Sequence, residues 1–65
     1  MDKELLKYYI AKNGDSIKEL ADFLGLHATT LYKKMNGCTD FSSKEVSKIA
    51  KRYDLSDSVI VDIFL

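Results

Sequence analysis

Apolar residues recur along this chain at intervals of three and four, in short runs separated by a glycine or a few polar residues. Leu5, Leu6, Tyr9 and Ile10 share one helical face, and Asp2 stands where an N-cap is needed. The pattern predicts a first helix from about Asp2 to Lys12, with Tyr8 on its flank and Asn13-Gly14 as its stop. In "SIKE", Ser16 can accept from the amide of Glu19 while Glu19 reaches back to Ser16, a capping box that starts a second helix. Ile17, Leu20, Ala21 and Leu24 then repeat at i, i+3, i+4 and i+7, and Phe23 widens the stripe. Gly25 ends that helix with an expected positive φ. Leu26 plugs the turn, and His27 or a neighbour caps a third helix that reaches Asn36 and stops at Gly37.

"FSSKEV" repeats the capping logic: Ser42 pairs with Glu45, and Phe41 ahead of the cap packs on Val46 as a hydrophobic staple. A fourth helix carries Val46, Ile49, Ala50 and Tyr53 inward. Ser56 caps a fifth, whose inward face holds Val59, Ile60, Ile63 and Phe64 with Ile60 at its centre. Asn36-Gly37 is also a hairpin signal, but its flanks do not alternate apolar and polar, so it is taken as a helix stop. With no proline, no repeat and no linker, the chain is expected to be all-α: five short helices around one core, a single domain over residues 1–65.

A fold of 65 residues buries only ~60% of the surface its unfolded chain exposes, which leaves no room for a deep catalytic cavity. One cysteine, Cys38, forms no internal disulfide, and one Cys with one His cannot complete a four-ligand zinc site, so neither metal nor cofactor is expected. There is one His, no glycine-rich phosphate cradle and no pair of carboxylates in an evident pocket. The expectation is a protein that is not an enzyme and has no small-molecule substrate. No apolar run approaches the ~18 residues of a membrane span, and "MDKELLKYYI" carries acids where a signal peptide would not. A cytoplasmic protein with no membrane partner is expected.

Ten Lys and Arg balance ten Asp and Glu, so net charge points to no partner. Its distribution does. Residues 27–38 hold Lys33 and Lys34 with no acid, residues 41–52 hold Lys44, Lys48, Lys51 and Arg52 against Glu45, and beyond Arg52 stand Asp54, Asp57 and Asp62 with no base. With Leu31 pointing inward and ~100° per residue, Met35 falls beside it and His27, Ala28 and Lys34 on the flanks. Thr29, Lys33 and Asn36 face away, with Tyr32 beside them. That outward face has hydrogen-bonding groups and a cation but no carboxylate, as a surface against a phosphate backbone requires.

Leu20, Ala21, Leu24, Gly25, Leu26, Leu31 and the closing Asn36-Gly37 together resemble the Cro and repressor, or XRE-type, helix-turn-helix family, over nearly the whole chain. The tail from Phe41 to Phe64 looks like the last two helices of small phage regulators of low-GC Gram-positive bacteria. The resemblance implies a compact five-helix lambda-repressor-like domain, with the helix-turn-helix at helices two and three. It implies a DNA-binding transcriptional regulator, Cro-like or repressor-like, inserting residues from about Ala28 to Asn36 in the major groove of a double-stranded operator. In it the alanine lets the two helices cross closely and the glycine makes the turn. Ala28, Thr29, Tyr32 and Lys33 match base-facing positions; Ser16, Ile17 and Asn36 match backbone-contacting ones. His27 is assigned a role in backbone positioning, and Ser42 and Ser43 add phosphate contacts from the start of helix four. Where many members place an aromatic or aliphatic residue, this chain has Lys34, and the apolar role passes to Met35. The competing reading is a helical module that binds protein rather than DNA, such as an antitoxin or an anti-repressor.

One short reading helix is little for a specific site, and a two-fold dimer would place two of them ~34–36 Å apart on a palindromic operator. Val61 and Leu65 turn away from the inward face of helix five, and with Phe64 they leave apolar surface for a weak homodimer.

Overall fold

Five helices form in a computed structural model that describes residues 1–65: α1 (Lys3–Lys12), α2 (Ile17–Leu24), α3 (Ala28–Met35), α4 (Ser43–Tyr53) and α5 (Asp57–Phe64). Four start on a side-chain cap. Asp2, Ser16, Ser42 and Ser56 accept from the amides of Leu5, Glu19, Glu45 and Val59 respectively. The capping box is complete only at α4, where the Glu45 carboxylate accepts from the Ser42 amide at 2.9 Å. At α2 the returning half is not formed. Glu45 is held by a cation, Lys34 at 3.1 Å, whereas Glu19 is exposed and has no such partner.

The first four helices stop alike. The amide that follows the left-handed residue at each end returns to a carbonyl five residues back, in the bonds Asp15 to Ile10, Leu26 to Ala21, Cys38 to Lys33 and Leu55 to Ala50. The left-handed residue that closes such a turn is glycine in three of them. At the end of α4 it is Asp54, with φ 52°.

Each helix contributes one side chain with no exposed surface: Leu6, Leu20, Leu31, Ile49 and Ile63. Ile10, Ala21, Leu24, Met35 and Tyr53 complete a single cluster of ten buried residues. Two expected placements change. Ile63 rather than Ile60 is the fully buried residue of α5, and Ile60 is half-buried. The cause is that α5 packs on α1 as well as α4, and the Asp2 amide donates to the Ile63 carbonyl at 2.7 Å, which turns the helix toward α1. Phe23 does not widen the inward stripe of α2. The residue is 42% exposed and its ring lies under the Arg52 guanidinium, which is 4.5 Å from the ring centroid, a cation–π contact that holds it on the surface.

Arg52 also closes the one long-range ion pair that reaches between α4 and the loop before α2. Its Nε and Nη2 donate to the Asp15 carboxylate at 2.7 and 2.9 Å, and the Tyr53 hydroxyl donates to the same group at 2.6 Å. The Asp15 side chain is only 6% exposed. The Arg52 guanidinium holds the Asp15 carboxyl below its ordinary 3.8, against the opposing effect of burial and with help from the Tyr53 hydroxyl. Burial and the neighbouring carboxylate push the Tyr53 hydroxyl above its ordinary 10.0.

A carboxyl whose pKa is depressed by folding stabilises the fold above its unfolded value, and that contribution disappears as pH falls through the folded value. Thermal unfolding should therefore show the native protein losing stability as pH drops below about 4, with Asp15→Asn losing less over the same interval. At neutral pH, Asp15→Ala leaves the buried Tyr53 hydroxyl without its acceptor and should cost about 1–3 kcal/mol in urea unfolding.

Candidate nucleic-acid interface

The corner between α2 and α3 sets the site. α2 ends at Gly25, whose φ of 74° is strained for any residue with a Cβ. The Gly25 amide donates to Asp22 at 3.1 Å and the Leu26 amide to Ala21 at 2.9 Å, so the chain reverses within two residues. Beneath the corner, Ala21 is 1% exposed and Leu20 and Leu31 are fully buried, so α2 and α3 pack directly on one another. A longer side chain at Ala21 would have nowhere to go.

Leu31 and Met35 point α3 into the core, and Ala28, Thr30 and Lys34 are half-buried at its edges. His27, Thr29, Tyr32, Lys33 and Asn36 are exposed, and Tyr32 keeps 48% of its surface. Thr29, Tyr32, Lys33 and Asn36 form the outward face expected from the helical periodicity, whereas His27, expected on the flank, is exposed because it stands ahead of the helix as its N-cap. The helix has no acid in its first turn, and Lys33 and Lys34 stand in its last. α3 is also the one helix without a side-chain cap. His27 occupies the N-cap position but makes no capping hydrogen bond. The first amides of α3 therefore point outward with no partner inside the helix.

The two lysines divide their work. Lys34 is 15% exposed, pairs with Glu45 at 3.1 Å and donates to the Asp40 carbonyl at 3.0 Å, so it ties α3 to the start of α4. Burial raises the Glu45 pKa, but the Ser42 amide and Lys34 outweigh it and hold that carboxyl below its usual range. Lys33 is in none of the ion pairs and is the exposed cation of the face. The sequence does not mark a further neighbour, Lys3, whose Nζ donates to Asn36 Oδ1 at 3.0 Å. Thirty-three positions separate the two residues, and no local pattern joins them.

Around this face, Ser16 is exposed at the start of α2 with its hydroxyl on the Glu19 amide, and Ile17 is half-buried behind it. Ser42 and Ser43 are both exposed at the start of α4, but the Ser42 amide and Oγ are already engaged with Glu45. At the far end of the chain Val61 and Leu65 are 50% and 95% exposed. Phe64 is half-buried, with its ring edge-on to Phe41 at 5.3 Å between centroids.

Two short helices at a glycine corner, the second with a polar, acid-free outer face, define a helix-turn-helix DNA-binding protein. A family model described as helix-turn-helix matches residues 6–60, and the chain belongs to that XRE-type family. It is a DNA-binding regulator of transcription. No curated protein and no solved structure matches it. No helix is long and apolar enough to cross a membrane, and no three His, Cys, Asp or Glu side chains are grouped to share a metal ion.

A Cβ added at Gly25 would meet nothing within 4 Å, so substitution there tests the turn alone. Gly25→Ala should cost about 1–2 kcal/mol in urea unfolding, from the left-handed backbone rather than from a clash. Gly25→Asn should cost less than Gly25→Ala.

Proposed function

We propose that this protein is a Cro-like or repressor-like regulator that recognises a double-stranded operator by inserting α3, from about Ala28 to Asn36, in the major groove. The observation that carries the reading is the outer face of α3, exposed, cationic at Lys33 and without a carboxylate. Thr29, Tyr32 and Lys33 are assigned to base edges, with Ala28 contributing a methyl group at the margin. The uncapped α3 amides behind His27, the start of α2 at Ser16 and Ile17, Asn36, and Ser42 with Ser43 are assigned to the phosphate backbone. At α4 the Ser42 amide is held by Glu45, so the contact there comes from the Ser42 hydroxyl hydrogen and from Ser43.

The helix-turn-helix occupies one side of a body only 27 × 24 × 21 Å across. A single α3 spans few base pairs, and the reading extends to a palindromic operator bound by two copies. Val61, Leu65 and the rim of Phe64 supply the apolar surface for their contact.

Thr29→Ala and Lys33→Ala should each weaken binding to a duplex selected from a random library by about 1–3 kcal/mol, with helicity unchanged. Native affinity in both variants, with helicity retained, would mean that α3 is oriented differently on DNA. A second measurement addresses assembly. Val61→Asp combined with Leu65→Asp should weaken binding to a full palindrome more than to a half-site, as read by gel shift. A uniform effect on both sites would leave a monomeric reader.

A further inference from the structure

We infer that Lys3 is a positioning residue for DNA binding: it sets which way the Asn36 side-chain amide faces. The inference rests on the proposed assignment of Asn36 to a phosphate. An asparagine amide presents an acceptor on one side and two donors on the other, and only the donor side is attracted to a phosphate. In the exposed position of Asn36 nothing else selects between the two orientations. Lys3 Nζ lies 3.0 Å from Oδ1 and, having only donors to offer, accepts no other arrangement. The Asn36 NH2 group is thereby turned away from Lys3 and outward.

Lys3 is itself well placed to be a fixed reference. It opens α1 immediately after the Asp2 cap, and the Asp2 amide is bonded to the Ile63 carbonyl at 2.7 Å, which pins the start of α1 to α5. Lys3 is half-buried, and none of the four ion pairs in the protein includes it. Its charge is therefore directed to the end of α3, where helix carbonyls also favour a cation. The start of the first helix and the end of the third are coupled by a single polar contact that touches the proposed interface and adds nothing to the core.

The test uses the full chain and a duplex recovered from a random-sequence library with the native protein, followed by fluorescence anisotropy at several salt concentrations. Lys3→Met and Asn36→Ala should each weaken binding about tenfold, the scale of one hydrogen bond to a charged group. The double variant should be no weaker than either single one, and Lys3→Arg, which also only donates, should retain affinity. Lys12→Met, which removes the same charge from the far end of α1, where Lys12 lies over the Tyr8 and Tyr9 rings, should bind like the native protein, and all five should melt alike. In the free protein the side-chain amide NMR signals of Asn36 should move in Lys3→Met and stay in Lys12→Met. Additive losses, with a salt slope lowered by about 0.9 in Lys3→Met, would make Lys3 a direct phosphate contact and overturn the positioning role. Native affinity in Lys3→Met beside a weakened Asn36→Ala overturns the inference alone. Native affinity in Asn36→Ala removes the assignment of Asn36 to a phosphate and the inference with it, and a library that yields no bound duplex does so for the whole operator reading.

Discussion

The placement of every helix depends on one aliphatic side chain that has lost all contact with water. Leu6, Leu20, Leu31, Ile49 and Ile63 come one from each helix and meet in the same cluster. Complete burial of such a side chain contributes roughly 1.5–3 kcal/mol, while a helix of eight residues has almost no stability by itself in water. α2, α3 and α5 are each that short. They exist because the cluster exists, and truncating any one of the five anchors would release the helix that bears it.

A core of ten residues orients helices only coarsely, and polar ties at the periphery refine the arrangement around α3. The Gly25 corner fixes how α3 leaves α2. Lys34 with Glu45 then fixes how α3 meets α4, and Lys3 with Asn36 links its end to α1. These contacts lie at the margin of the exposed face and leave Thr29, Tyr32 and Lys33 unencumbered. The clasp of Asp15, Arg52 and Tyr53 performs the same service behind α2, where it sets the last turn of α4 against the loop that starts the helix-turn-helix.

Electrical neutrality of the whole chain coexists with a local field suited to DNA because the outer face of α3 carries no carboxylate and two acids packed beside the helix-turn-helix are neutralised. Glu45 is covered by Lys34 and Asp15 by Arg52. The unpaired acids of the C-terminal third belong to the turn before α5 and to α5 itself, a helix that packs mainly against α1 and α4. Such a distribution keeps non-specific attraction to polyanions low while the outer face of α3 itself carries no charge that a polyanion would repel.

Helix positions, most caps and the outward face of α3 were legible in the sequence, because each follows from spacing within a few residues. Leu31 and Met35 inward against Thr29, Lys33 and Asn36 outward is a consequence of the helical repeat, and Asp2, Ser16, Ser42 and Ser56 are short polar side chains that reach only their own first turn. Tertiary structure decided what distant residues do for one another. Periodicity assigned Phe23 to the core, but the guanidinium of Arg52, twenty-nine positions later, offers it a partner at the surface. It centred α5 on Ile60, yet packing on α1 brings Ile63 to the middle. The pairing of Lys3 with Asn36 and of Asp15 with Arg52 left no local trace, since a lysine or aspartate beside a cap looks the same whether it faces water or a partner thirty residues away. Local hydrogen-bond geometry acts over one or two turns and is written in adjacent residues, whereas the choice among possible ion pairs is made only when the core brings the helices together.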